Sequence, residues 1–176
     1  MKIEVFKTKA ECGAAAAERG AKILRRAIAD KGRTSFIVAT GASQFEMLGE
    51  LVKLKLDWSK VTVFHLDEYI GIPESHPASF RKYLKERFVA RVEGLKQFHF
   101  VNGEADPVAE CNRLGKIIRQ HTIDVAAVGI GDLCDGGTES DATTGDELEV
   151  GDALLHRERG EMAGPLLGPG TPTVGE

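Results

Sequence analysis

The feature that most constrains the fold is an alternation of short apolar runs with longer segments of helical period. Phe36-Ile37-Val38-Ala39 and Val61-Thr62-Val63-Phe64-His65-Leu66 read as strands covered on both faces, and Gln97–Val101 and Ile123–Ile130 continue the series. Ile3–Phe6, which alternates apolar with polar residues, is expected to form a shorter strand ahead of them. Between the strands, Thr8 and Glu11 offer a capping box for a helix reaching about Lys31, with Ala17, Ala21, Leu24 and Ile28 on one face and Gly32 as its stop. Ser43 and Glu46 offer a second box, ahead of a stripe of Phe45, Leu48 and Val52. Further helices are expected over Ala78–Val89 and, after an Asp106 cap and Pro107, over Val108–His121. Five strands separated by four helices imply parallel pairing through right-handed crossovers. The expected fold class is α/β: a doubly wound, mostly parallel, Rossmann-like sheet with helices on both faces, incomplete at its end.

In such a sheet ligands bind beyond the carboxyl ends of the strands, which singles out Thr40–Ser43, Asp67–Tyr69 and the turn around Gly129 and Gly131. Thr40-Gly41-Ala42-Ser43 offers amides, two hydroxyls and a helix start to an anion; equally, Ser43 can be a plain N-cap and Gly41 a plain turn residue. Asp67 and Glu68 stand where a buried strand breaks into a loop marked by Gly71, Pro73 and Pro77. A carboxylate there can carry a proton, and the alternative is a pair of solvated turn acids. His65, Asp67, Glu68 and His76 can be drawn as a metal cluster, but no HExxH or second acidic group accompanies them, and no metal is expected.

The charge of −4 hides a division: residues 1–131 carry 21 Lys+Arg against 16 Asp+Glu, and residues 132–176 carry 2 against 11. A mildly basic body suits a small anionic ligand, while the absence of Lys/Arg clusters interleaved with aromatics argues against nucleic acid. Three widely spaced cysteines without a CxxC pair suggest neither a disulfide framework nor a zinc site and fit a reducing cytoplasm. No apolar stretch approaches the ~18–20 residues of a membrane span, so no membrane association is expected. Residues 132–176 lack Phe, Tyr, Trp, Ile and Lys and hold 9 of the 20 glycines. A tail that buries so little cannot offset the ~1–2 kcal/mol of backbone entropy per ordered residue, so disorder is expected there, with at most a weak helix near Asp146–Met162.

Taken together, FIVATGAS (36–43), VTVFHLDEYIGIPESHPASFRKYL (61–84) and DVAAVGIG (124–131) resemble the glucosamine-6-phosphate deaminases, within the group that includes the 6-phosphogluconolactonases. The resemblance covers residues 1–131, and its most specific part is Asp67-Glu68-Tyr69 with Gly71-Ile72-Pro73, His76-Pro77 and Ser79. It implies conversion of glucosamine 6-phosphate to fructose 6-phosphate and ammonia without redox cofactor or metal. By position, Asp67 matches the proton-shuttling aspartate, Thr40, Gly41, Ala42 and Ser43 the phosphate turn, and Glu68 a residue that lines or braces the site. A lactonase is the runner-up, and a non-catalytic sugar-phosphate binder a third reading.

The resemblance ends after Gly131, where Asp132-Leu133-Cys134-Asp135-Gly136-Gly137 replaces the family's Gly-His segment. With that segment go the histidine and acid that assist ring opening and a later arginine and lysine of the phosphate site. A lost reading frame would explain the abrupt change, and a natural short form with an acidic tail is the alternative. The exposed sheet edge left by such a remnant makes low stability or a possible homo-oligomer the expected consequence.

Overall fold

The computed structural model describes residues 3–129 and 154–156. Four parallel strands form the main sheet: β1 (Thr34–Val38), β2 (Val61–His65), β4 (Gln97–His99) and β5 (Val125–Ala127), in the order β4-β2-β1-β5. A fifth segment, β3 (Asp67–Tyr69), leaves this sheet and pairs in parallel with β6 (Leu154–His156). One helix, α1 (Lys9–Lys31), precedes the first strand, and three connect the strands: α2 (Phe45–Leu51), α3 (Phe80–Arg87) and α4 (Pro107–Ile118). The expected doubly wound α/β class is the observed one.

Register and pleat build the core. Thr34, Phe36 and Val38 lie opposite Val61, Val63 and His65, so these residues share one face of the sheet. Phe36, Val38, Val61 and Val63 join Ala17, Ala21 and Leu24 of α1, Met47, Leu48 and Leu51 of α2, and Leu84 and Phe88 around α3 in one buried cluster. Ser35, Ile37, Thr62 and Phe64 occupy the opposite face. There the Phe64 ring stacks on His99 at 4.8 Å and meets the edge of His121, just beyond α4, at 5.1 Å. From β1 the chain steps outward to β2 and β4, then crosses back through α4 to β5 on the other flank. That reversal puts helices on both faces.

Several boundaries differ from expectation. Ile3–Phe6 is not a strand: it joins neither sheet among the described residues, and Val5 is 91% exposed, so the main sheet has four strands rather than five. The Thr8 cap forms, its Oγ1 accepting from the Glu11 amide at 3.1 Å, but the Glu11 carboxylate accepts from Lys7 N rather than closing the box on Thr8. α1 ends as expected at Gly32, whose φ of 70° lets its amide donate to Ile28 O. The Ser43–Glu46 box does not form, because Ala42–Gln44 closes as a 3₁₀ turn and α2 begins only at Phe45, without a side-chain cap. The delayed start rotates Phe45 outward to 44% exposure, where it stacks on Tyr83 at 5.3 Å, and Met47 and Leu51 join Leu48 inside instead. Ser79 and Asp106 cap α3 and α4 through their side chains. Leu154–His156 is a strand where a weak helix was expected; the rest of the tail, including the expected disorder after residue 132, lies outside the described residues.

Candidate functional site

β1 and β5 are neighbours, the chain leaving β1 towards β2 on one side and returning from β4 through α4 to place β5 on the other, so the strand order reverses between them and the crevice beyond their carboxyl ends is a topological switch point. Thr40–Ser43 leaves β1 on one side of it and Val128–Gly129 leaves β5 on the other. The two touch: a Cβ placed on Gly129 would lie 2.2 Å from Ser43 Oγ and 2.8 Å from Gln44 Nε2, so any larger residue there has to displace those two side chains. Gly41 has φ 119° and ψ 167°, a conformation that side chains resist, and its carbonyl accepts from Gln44 N at 3.0 Å. The Thr40 hydroxyl is buried and has no hydrogen-bond partner among the described residues. A buried donor left unmatched costs ~1–3 kcal/mol, which an arriving acceptor would recover. Gly131, assigned with Gly129 to the crevice turn, lies outside the described residues.

The second wall comes from β2. Val38 pairs with His65, and Leu66 N donates to Val38 O at 3.0 Å; Thr40 and Asp67 each follow two residues beyond these paired strand ends, Asp67 as the first residue of β3. Asp67 is half-buried there. His65, just before it, is inside the core: Nδ1 accepts from Val101 N at 3.4 Å, and the ring lies edge-on to Phe100. Burial lowers its pKa to about 4; Glu68 pulls the other way and Arg81 adds to the lowering, so the ring is neutral at pH 7.

Glu68 is completely buried. Its Oε1 accepts from the amides of Tyr69 and Phe80, both at 3.0 Å, and its Oε2 from Ser79 Oγ at 3.0 Å and Arg81 N at 2.8 Å. Arg81 Nε adds a 3.3 Å ion pair, and the same guanidinium reaches Asn102, Glu104 and the Ile72 carbonyl. Burial pushes the carboxyl upward, but the amides of Arg81, Phe80 and Tyr69 and the Ser79 hydroxyl outweigh it and hold it below the ordinary carboxylate range. With both oxygens engaged, Glu68 braces the site rather than contacting a ligand directly: it ties β3 to the start of α3. Arg81 and Asn102, which complete this brace, escaped sequence reading, since one arginine in a Lys/Arg-rich helix carries no signal of burial. Among the described residues no group of three His, Cys, Asp or Glu gathers as a metal site; His76 accepts instead from Ala78 N.

A cavity of about 670 Å3 reaches this region only at Ser43, Gln44 and Gly129. Its other walls are α1 residues such as Cys12, Gly20 and Ile23, part of α2 and the flank of β5, an edge strand among the described residues, so it lies beside the sheet rather than in the crevice at the strand ends. Among the described residues no helix is long and apolar enough to cross a membrane.

A parallel sheet with a glycine-bearing turn at its switch point and a carboxylate on the adjoining segment defines an α/β protein of the doubly wound class, in which ligands bind at the strand ends. Residues 7–140 match the family of glucosamine-6-phosphate isomerases and 6-phosphogluconolactonases, and the chain belongs to that family. The match runs past Gly131, where the motif resemblance ends, and begins after the exposed N-terminal run. The chain is 32% identical over 135 residues to the glucosamine-6-phosphate deaminase of Listeria monocytogenes serotype 4a, covering 76% of this chain and 57% of the relative. It is 33% identical over 117 residues to that of Bacillus cytotoxicus, covering 66% and 44%. Among solved structures, a 6-phosphogluconolactonase from Shewanella baltica superposes with a TM-score of 0.62 at 21% identity over 69% of this chain and 53% of its own. A monomeric glucosamine-6-phosphate deaminase superposes with 0.59 at 26% identity over 68% and 51%. The chain thus spans about half the length of the relatives it matches.

Proposed function

We propose that the crevice binds a phosphorylated amino sugar, with the phosphate on Thr40–Ser43 and C1 and C2 against Asp67, as in a glucosamine-6-phosphate deaminase. The observation that supports this reading is the pairing of β1 with β2, from whose ends the chain runs on two residues to Thr40, whose buried hydroxyl has no partner among the described residues, and to the half-buried carboxylate of Asp67. The curated relatives at 32–33% identity are deaminases, which supports the amino sugar over a lactone.

In the opened sugar, the Asp67 carboxylate takes the proton from C2, the C2–H electron pair becomes the C1–C2 double bond, and the C1 carbonyl oxygen takes up a proton to give an enolamine. Asp67 then returns its proton to C1, leaving an imine at C2; water adds there and ammonia departs, so glucosamine 6-phosphate and water become fructose 6-phosphate and ammonia. One carboxylate within reach of two adjacent carbons is sufficient for both transfers, each worth roughly 10²–10⁴-fold. Anchoring the phosphate at the turn spends remote binding energy on orienting C1 and C2. Glu68 and Arg81 hold β3, and with it Asp67, in place. The residues that open the ring and complete the phosphate site match none of the described residues, so we expect binding from this chain and little or no turnover.

The test is twofold: titration of glucosamine 6-phosphate into the 176-residue chain, and ammonia release by it. Saturable binding that weakens about tenfold or more in Ser43→Ala/Thr40→Val supports the phosphate turn. In a version with the family's ring-opening segment restored, C2 proton exchange abolished in Asp67→Asn with binding retained supports the shuttle. Hydrolysis of 6-phosphogluconolactone without ammonia release would replace the deaminase reading with the lactonase one.

A further inference from the structure

The opposite ends of the strands hold a second polar cavity. It lies at the amino ends of β1 and β2, where the α1–β1 junction, the entrance to β4 and the α4–β5 junction meet, and it encloses about 90 Å3. Arg33, Lys96, Gln120, His121 and Thr122 line it, above the buried β1 and β2 residues Thr34, Ser35 and Thr62.

The charges in this cavity do not balance. Lys31 is engaged by Asp124 Oδ1 at 2.6 Å, and Asp124 Oδ2 accepts from Thr34 Oγ1 at 2.7 Å and Ser35 N at 3.2 Å, so the local carboxylate is fully occupied. Arg33 and Lys96 line the same small space and form no ion pair among the described residues. Both act on His121, whose Nδ1 lies 3.0 Å from Ser35 Oγ. Its ring titrates below the ordinary histidine range, first through burial and then through the Arg33 and Lys96 charges. Two cations converging on one histidine from separate segments repel one another, and a bound anion would relieve that repulsion.

We propose that this cavity binds a small tetrahedral oxyanion of the phosphate class, with Arg33 and Lys96 supplying charge-assisted hydrogen bonds and Gln120 and Thr122 neutral donors. The five residues of β1 separate it from Thr40–Ser43 by roughly 16 Å at ~3.3 Å per residue, so a sugar phosphate at the crevice does not reach it. Its walls come from separate junctions of the chain, so an anion there ties them together and stabilises the fold by linkage.

The experiment is a titration of inorganic phosphate into the full chain, followed through the ring resonances of His121 and through the melting temperature. Phosphate is expected to move the His121 signal and raise its pKa, since a nearby anion favours imidazolium, and to raise the melting temperature. In Arg33→Gln/Lys96→Gln the His121 response is expected to need at least about tenfold more phosphate. Arg26→Gln/Lys53→Gln removes two cations already paired at the surface, with Asp30 and Glu50, and is expected to respond like the unaltered chain. A His121 signal unmoved by phosphate overturns the proposal, including the case where phosphate binds only at the Thr40–Ser43 turn. Equal weakening in both double variants overturns it too, because the attraction would then be general charge. If Arg33→Gln/Lys96→Gln does not fold, the His121 response of the unaltered chain decides alone.

Discussion

Asp67 and Glu68 are neighbours with the same functional group, and the fold treats them oppositely. Strand alternation turns Glu68 into the interior, where three amides, a hydroxyl and a guanidinium meet its two oxygens. Asp67 turns the other way and stays half-buried. A carboxylate surrounded by donors on all sides is committed to holding structure, and the role we propose for its neighbour is to meet the substrate. The comparison separates what makes the site rigid from what we propose makes it reactive.

The sharpest way to break that comparison is Glu68→Gln. Leaving the buried Arg81 guanidinium without its carboxylate is expected to cost about 3–5 kcal/mol in urea unfolding. A loss below about 1 kcal/mol would show that the brace is dispensable. Next comes pH. His65 has a folded pKa of about 4 against about 6.5 unfolded, so between these values the unfolded chain binds the extra proton. Stability is therefore complete above pH 6.5 and falls by roughly 3 kcal/mol as pH drops to about 4. His65→Asn should flatten that window in stability measured against pH. Glu68, held below the ordinary carboxylate range, contributes above that range and loses its contribution only as pH falls through its lowered folded value. Gly129→Ala, which drives a methyl into Ser43 and Gln44, is expected to cost about 1–3 kcal/mol and to weaken sugar-phosphate binding in the same preparation. The smallest effect is expected from Asp67→Asn, under about 1 kcal/mol in stability, with proton exchange lost in the version carrying the restored ring-opening segment. A stability loss matching that of Glu68→Gln would erase the distinction between the two acids.

Much of this arrangement is legible in the chain itself. The runs Phe36–Ala39 and Val61–Leu66 announce β1 and β2 because a strand buried on both faces needs unbroken apolar character. Thr8, Ser79 and Asp106 sit at helix starts, although the Ser79 cap lies one residue inside the expected helix span. Ile3–Phe6 has the alternation of a strand and is not one, since a strand also needs a partner and this run joins neither sheet among the described residues. Ser43 has the spacing of a capping box, but the 3₁₀ turn that brings it against Gly129 occupies the residues the box would have used.

The sequence by itself determined the α/β class, the parallel order of elements and the positions where β1 and β2 end, because hydrophobic period and turn residues are local properties. Only the tertiary structure decided that β5 would return beside β1 and open a switch point there. It also decided that Glu68 would be saturated by residues 11 to 13 positions away, while Arg33, Lys96 and His121 would share one cavity. These outcomes depend on which groups burial brings together and how many donors remain for each charge, and neither is written in the spacing of residues along the chain.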